Sequence, residues 1–244
     1  MIKLGLVGTP IKHSLSPALH EGFMAEAKVN GSYTLIERTS LDRAGFRALF
    51  FEEYFHGVNI TIPYKTEALA WVDHVDPDAQ AIGAINTVIL ENGHLVGYNT
   101  DVDGIKKSLA LLGTPQPALV FGTGGASKAA VHVLKQLGVD FKIIGRNTTP
   151  NYNELQPEDA AYFKWWINCT PVGGPKYLGH YLPVPMAVLT KEFAIFDMNY
   201  EPKATPLMLK GEELGATTLG GTIMLTEQAK KAWQLFHAAY YKTL

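Results

Sequence analysis

Ala118-Leu-Val-Phe-Gly-Thr-Gly-Gly-Ala-Ser127 decides how the whole chain is read. Ala118 to Phe121 is a short, wholly apolar run, the pattern of a strand buried on both faces. It breaks at Gly122-Thr123-Gly124-Gly125-Ala126-Ser127, and from Lys128 to Leu137 apolar residues recur at helical spacing (Ala129, Ala130, Val133, Leu134, Leu137). Phe141-Lys-Ile-Ile144 supplies another strand, so the stretch is a βαβ unit whose first turn is rich in glycine. In such a turn the first glycine permits a tight bend, and the second removes a Cβ so that backbone can approach a pyrophosphate at the helix N-terminus. Ser127 stands where the third glycine of the pattern is expected. About twenty residues beyond the glycines, where a carboxylate would bond the ribose 2′-hydroxyl of NAD, the chain reads Gly145-Arg146-Asn147. A planar, permanently charged guanidinium suits a 2′-phosphate, so the expected cofactor is NADP.

Working outward, Ile2 to Val7 reads as a strand, and Ser16-Pro17 reads as the N-cap and first-turn proline of a helix reaching about Lys28. Tyr33 to Glu37 is a strand, Leu41 to about Tyr54 a helix, and Val58 to Ile62 a strand stopped by Pro63. Helical pieces follow to about Ala81. Two apolar runs, Asn86 to Leu90 and His94 to Tyr98, are joined through Asn92-Gly93, which predicts an antiparallel hairpin. A helix from Asp101 to about Leu112 ends at the linker-like Gly113-Thr-Pro-Gln-Pro117. Further strands fall near 163–167, 194–196 and 217–219, and a long helix from about Thr222 to Tyr240 closes the chain. Alternation of strands and helices predicts an α/β protein.

Composition narrows the function. The 244 residues are 47% hydrophobic and 18% charged with a net charge of −2, which excludes disordered and fibrous classes. No charge block offers a footprint for nucleic acid or an anionic membrane, so small molecules are the expected partners. The one cysteine, Cys169, excludes an intramolecular disulfide and any multi-thiolate metal site, and the eight histidines lack metal-ligand spacing, so no metal is expected. No apolar run approaches the ~18 residues of a membrane span, and the apolar part of MIKLGLVGTP is too short for a signal peptide. A cytoplasmic enzyme, monomeric or homodimeric, is expected.

Four stretches taken together carry a resemblance: PIKHSLSPALH, GVNITIPYK, GAINT with YNTD, and GTGGAS with GRN. In them, and as far as GGTIMLTEQA, the chain resembles the shikimate dehydrogenases. The resemblance implies NADPH-dependent reduction of 3-dehydroshikimate to shikimate, on the route to chorismate and the aromatic amino acids. It implies a two-domain α/β architecture: a substrate domain with a mixed sheet, residues 1–101 completed by the C-terminal helix 221–244, and a Rossmann-like NADP domain, residues 102–220.

The residues suit that chemistry. Reducing a ketone builds negative charge on its oxygen, so a positioned proton donor is needed, and a base for the reverse reaction. Lys65 follows Pro63 at the end of VNITI and is read as starting a helix at the carboxyl end of a strand, where ligands of open α/β sheets bind. Asp101 can hold its ammonium by a charge-assisted hydrogen bond. Ser14, Ser16, Asn59, Thr61 and Asn86 offer short hydroxyl and amide groups at structured places, Asn59 and Thr61 sharing a strand face by their spacing of two. The resemblance makes Lys65 and Asp101 catalytic, gives the substrate carboxylate to Ser14 and Ser16, and gives its hydroxyls to Thr61, Asn86, Asp101 and Gln228, with Tyr200 also in contact. It places Asn168 and Thr170 in a turn covering the cofactor, and Met198, Gly221 and Met224 at the nicotinamide. Ser16 before Pro17 is equally an ordinary helix cap, and Met224 equally a core residue.

Two departures from the family pattern stand out. Gly145 replaces the usual Asn before Arg146, which predicts a looser adenosine pocket. Between Arg146 and Asn168 the chain is short, with room for little more than TTPNYNELQPEDAAYFKWW, which predicts a trimmed nucleotide domain with Trp165 and Trp166 closing the gap. A quinate/shikimate dehydrogenase of broader range and a catalytically silent NADP-binding relative are the competing readings; retention of Lys65 and Asp101 argues against the second.

Overall fold

The computed structural model describes residues 1–242, which form two compact units: residues 1–100 with the segment from 226 onward, and residues 101–225. Both are α/β, as the alternation of periods predicts.

The first unit is built on a six-stranded mixed sheet. In chain order its elements are β1 (Ile2–Gly8), α1 (Ser16–Glu26), β2 (Gly31–Glu37), α2 (Arg43–Phe51), β3 (Gly57–Ile60), β4 (His74–Val75), α3 (Pro77–Ile82), β5 (Thr87–Glu91) and β6 (His94–Tyr98). The sheet order is β2-β1-β3-β5-β6-β4. β1 pairs in parallel with β2 and β3, whereas β5 is antiparallel to both β3 and β6. The β5–β6 hairpin turns through Asn92 and Gly93 at φ 51° and 80°. Two successive positive φ values make the tight turn whose twist matches the strands, and Asn-Gly is the pair that adopts it at least cost.

Strand alternation divides this unit's core. Val7, Val58 and Ile60 face Phe46, Leu49 and Phe50 of α2. Ile2, Leu4 and Leu6 face the other way, against Met24 of α1 and Trp233 and Phe236 of the C-terminal helix Thr222–Lys242. Burying a ring such as Phe236 stabilises by about 1.5–3 kcal/mol. The close approach depends on Gly57, because a Cβ there would overlap the Phe236 ring. Asn59, between Val58 and Ile60, necessarily points to the α1 side.

Two local readings are corrected. Ser16 does not cap α1. Leu15 holds the cap position without a side-chain bond, Ser16 is already helical, and the Ser14 hydroxyl accepts the Ser16 N–H at 3.2 Å. Pro17 has no N–H to satisfy, and the Ser16 hydroxyl makes no cap bond. Lys65 does not start a helix either: a turn closed by the Tyr64 N–H on the Thr61 carbonyl (3.0 Å) carries it, and a short 3₁₀ turn begins only at Glu67.

The second unit holds α4 (Asp101–Ala110), β7 (Ala118–Phe121), α5 (Gly125–Gln136), β8 (Phe141–Ile144), α6 (Pro157–Tyr162), β9 (Trp165–Asn168), β10 (Ala194–Asp197), α7 (Pro206–Glu213) and β11 (Thr217–Gly220); α8 is the C-terminal helix Thr222–Lys242. All pairs in its sheet, ordered β11-β10-β9-β7-β8, are parallel. This is the doubly wound nucleotide-binding order without its third strand, so β8 is an edge. The short segment before β9 folds only into α6, and Trp166 fills behind it. Its ring is fully buried edge-on to Phe121, centroids 5.5 Å apart, and its indole N–H donates to the Phe163 carbonyl at 3.0 Å. Trp165, on the opposite strand face, is buried as well.

Candidate functional site

In the first unit, the groups expected around a small polyol lie where loops leave the carboxyl ends of β1 and β3 and where the chain enters β5. Ser14 and Ser16 are half-buried at the start of α1, and Thr61 directly follows β3. The Lys65 carbonyl accepts the Ile85 N–H at 2.7 Å, which stitches the Lys65 turn to the segment that presents Asn86. Asn86 is buried, and its Oδ1 accepts the Thr100 N–H at 2.8 Å and the Thr100 hydroxyl at 3.2 Å, while its Nδ2 donates to Thr100 Oγ1 at 3.1 Å. The Thr100 hydroxyl also reaches Gln228 Oε1 of α8 at 3.4 Å. Four sequence neighbourhoods thus converge: the Lys65 turn, Asn86, the YNTD segment and Gln228.

Asn59 stands behind this group. Its Oδ1 accepts the Tyr33 hydroxyl at 2.8 Å, and its Nδ2 donates to the Asn86 carbonyl at 3.3 Å and the Thr87 hydroxyl at 3.0 Å. Asp101, one residue beyond Thr100, opens α4 and is buried. A carboxylate at a helix N-terminus is stabilised by the backbone dipoles. Sequence reasoning missed Thr87, Thr100 and Tyr33; Thr100 was legible inside YNTD, whereas Tyr33 shows only as an apolar strand residue.

The second unit presents a different surface. The chain leaves β7 for β8 on one side and returns to β9 on the other, so the carboxyl ends of β7 and β9 form the switch point where such sheets bind ligands. Gly122, at φ 108°, packs closely against the turn after β9: a Cβ on it would come within 3.0 Å of the Thr170 methyl. Thr123, Gly124 and Gly125 are exposed, and open space surrounds the Cβ positions of both glycines. No side chain caps α5, which begins at Gly125 and not at Lys128. A pyrophosphate fits such an uncapped, Cβ-free helix start, with Ala126 in the first turn.

The turn after β9 is held by a buried polar network. Asn168 Oδ1 accepts from the Thr170 N–H at 2.9 Å and its hydroxyl at 2.7 Å, and Asn168 Nδ2 donates to Asp197 Oδ2 at 2.9 Å. Asp197 also accepts from the Thr205 hydroxyl at 2.7 Å and the Asn199 amide at 2.8 Å. Burial raises the Asp197 carboxyl above the usual range against the pull of these donors, and it raises the Cys169 thiol, leaving it inert. Asp197 and Asn199 lie in the DMNYEP stretch, but their task of shaping the Thr170 turn depends on the pairing of β9 with β10.

Gly145 has a local explanation. Its N–H donates to Thr148 Oγ1 at 2.8 Å, and a Cβ on it would lie 2.8 Å from the Thr123 methyl, so glycine lets this loop close onto the glycine-rich turn. Arg146 beside it is exposed. Met198 and Gly221 are packed together, a Cβ on Gly221 colliding with the Met198 carbonyl, and Met224 packs on Gly104 of α4. Tyr200 is 39% exposed, its hydroxyl pushed up by partial burial and then by Glu201. Among the described residues no cluster of His, Cys, Asp or Glu could hold a metal, and no helix is long and apolar enough to cross a membrane.

A family model described as the shikimate dehydrogenase substrate binding domain matches residues 6–88. The shikimate dehydrogenase (NADP(+)) of one Thermus thermophilus strain is 34% identical over 97% of this chain and 92% of its own length. The crystal structure of shikimate 5-dehydrogenase from another strain of Thermus thermophilus, in complex with NADP(H) and shikimate, superposes with a TM-score of 0.87 at 32% identity, covering 98% of this chain and 94% of that one. Quinate dehydrogenase from Corynebacterium glutamicum in complex with NAD gives 0.89 at 28% identity, with coverages of 97% and 94%.

Proposed function

The chain belongs to the shikimate dehydrogenase family, and on that premise we propose that it is an NADP-dependent oxidoreductase that reduces 3-dehydroshikimate to shikimate in the cytoplasm. The observation that carries this reading is the convergence of the Lys65 turn, Asn86, Thr100 and Gln228, joined by backbone and side-chain hydrogen bonds down to 2.7 Å. NADP, when bound, supplies or accepts the hydride.

The chain's own residues do the rest. Lys65 passes a proton to the carbonyl oxygen as negative charge develops there, and takes it back in the oxidation, with Asp101 as its acidic partner. Ser14 and Ser16 bind the carboxylate; Thr61, Asn86, Asp101, Gln228 and Tyr200 bind the hydroxyls. Gly122, Thr123, Gly124, Gly125 and Ala126 bring backbone N–H groups to the pyrophosphate, and Arg146 takes the 2′-phosphate. Thr170, Met198, Gly221 and Met224 line the nicotinamide end. By function, the substrate-binding domain is assigned 1–101 with 221–244 and the cofactor-binding domain 102–220, although Asp101 and residues 221–225 pack with the second compact unit.

The test is purified enzyme with shikimate and NADP, followed at the absorbance band of reduced nicotinamide. Turnover is expected, and its absence would defeat the proposal. The likeness to a quinate dehydrogenase that binds NAD makes quinate and NAD the parallel arms of the same assay. Faster turnover in those arms would reassign the specificity within the same fold.

A further inference from the structure

β3 pairs with β5 so that Thr87, the first residue of β5, lies opposite Asn59, and both side chains are buried. Behind Asn59 stands Tyr33, its ring stacked flat on His20 with centroids 4.5 Å apart. Ahead of Thr87 the hydrogen bonds run on through Asn86 and Thr100 to Gln228. Thr87 is thus the joint between a core pair and the residues of the candidate site.

Two backbone groups decide which way round the amides sit. The Asn86 carbonyl can only accept, so Asn59 turns its nitrogen to it at 3.3 Å, and Asn59 Oδ1 accepts the Tyr33 hydroxyl at 2.8 Å. The Thr100 N–H can only donate, so Asn86 turns its oxygen to it at 2.8 Å. The second Asn59 amide hydrogen goes to Thr87 Oγ1 at 3.0 Å. Thr87 has one proton, and the nearer of its two acceptors is Asn86 Oδ1 at 3.0 Å, against 3.4 Å for Thr100 Oγ1. The Thr100 hydroxyl receives from Asn86 Nδ2 at 3.1 Å and also has one proton, with Asn86 Oδ1 at 3.2 Å and Gln228 Oε1 at 3.4 Å in reach. On distance alone that proton goes to Asn86. Thr87 decides otherwise, because its own O–H and the Thr100 N–H together fill the two lone pairs of Asn86 Oδ1.

We infer that Thr87 is a positioning residue for the recognition of substrate hydroxyls: by saturating Asn86 Oδ1 it sends the Thr100 proton to Gln228 Oε1, and so sets the orientation of the Gln228 amide. With its oxygen on Thr100, Gln228 meets a hydroxyl through its nitrogen, and Asn86, its oxygen saturated, does the same. Both amides act as donors to the hydroxyl oxygens of the substrate. Asn59, its amide hydrogens committed to Asn86 and Thr87, anchors Thr87 from behind, in place of the direct substrate contact expected from its strand position.

This inference rests on the substrate contacts proposed for Asn86 and Gln228. Thr87→Val keeps the shape and deletes the hydroxyl, so the Thr100 proton moves to Asn86 and the Gln228 amide loses its guide; Thr87→Ser keeps the hydroxyl. With full-length enzyme, Thr87→Val should raise the shikimate KM roughly three- to tenfold, the worth of one hydrogen bond, with kcat within about twofold and the NADP KM unchanged. Thr87→Ser should restore the shikimate KM to within about twofold of wild type. In a Gln228→Ala background Thr87→Val should raise the KM by less than it does alone. If the valine variant does not fold, Thr87→Cys, a weak donor of similar size, takes its place with the same rise expected. An unchanged shikimate KM, an equal loss in the serine variant, equal rises for shikimate and NADP, or fully additive losses would each overturn the inference while leaving the proposed activity standing. Wild-type enzyme inactive on shikimate would remove the proposed function itself, and with it the substrate that this inference concerns.

Discussion

Asn86 Oδ1 accepts the backbone N–H of Thr100 at 2.8 Å, which ties the entrance of β5 to the residue immediately before Asp101. The amide is buried and also exchanges bonds with the Thr100 hydroxyl, so Asn86 shapes the site before any ligand enters it. Replacing it with Ala would strand the Thr100 N–H and hydroxyl, at a cost of about 1–3 kcal/mol. Asn86→Ala should therefore lower both the denaturation midpoint and kcat/KM for shikimate. A variant with impaired activity and unchanged stability would show that Asn86 only contacts substrate.

Lys65→Ala removes the ammonium proposed to transfer the proton without breaking the backbone stitch, since the Lys65 carbonyl, not its side chain, bonds Ile85. Turnover should fall by about 10²–10⁴ with the shikimate KM little changed. Near-normal kcat would remove Lys65 from the chemistry.

Thr205 both caps α7, accepting from the Met208 N–H, and donates to Asp197 at 2.7 Å. Thr205→Val keeps the shape and removes both bonds, which should destabilise by about 2–4 kcal/mol when the cap and the bond to a charged group are combined. The Thr170 turn depends on Asp197 through Asn168, so the NADP KM should rise more than the shikimate KM. Equal changes in the two constants would mean that the network serves stability alone.

Arg146→Ala should weaken NADP by roughly tenfold or more while leaving NAD nearly unchanged, because a charge-assisted bond contributes about 1.5–3 kcal/mol. The comparison is kcat/KM for both cofactors in wild type and variant. An unaltered ratio would place the 2′-phosphate elsewhere.

Burial holds His20 down to about 3 from its ordinary 6.5. Below pH 6.5 the unfolded chain binds a proton there that the folded chain refuses, so stability present above that pH is lost as the pH falls. One such proton costs about 2 kcal/mol by pH 5. His56 is shifted in the same direction, and Asp73, lowered from 3.8, matters only in stronger acid. Urea midpoints at pH 7.5 and 5.0 should drop for wild type and drop less for His20→Phe, which keeps an aromatic ring on Tyr33. Identical drops would mean that His20 is not the titrating group.

Local patterns in the chain determined the α/β class, the Asn-Gly hairpin, the glycine-rich turn and the family, because each depends on residues close together along the chain. Lys65, Asn86 and Gln228 were nameable for the same reason: each sits inside a short motif. What only the tertiary structure decided is the hydrogen-bond traffic between distant segments. Asn59 lies 27 residues from Asn86, and Thr100 lies 128 from Gln228. No local period encodes such pairings; strand register sets them, as when β3 pairs with β5 and brings Asn59 opposite Thr87. Ser16 reads as a cap along the chain, but the helix starts one residue earlier than that reading requires: Leu15 holds the cap position and Ser16 is already helical. Gly145 reads as a loosened pocket along the chain, and in space it is the residue small enough to let the loop after β8 rest against Thr123.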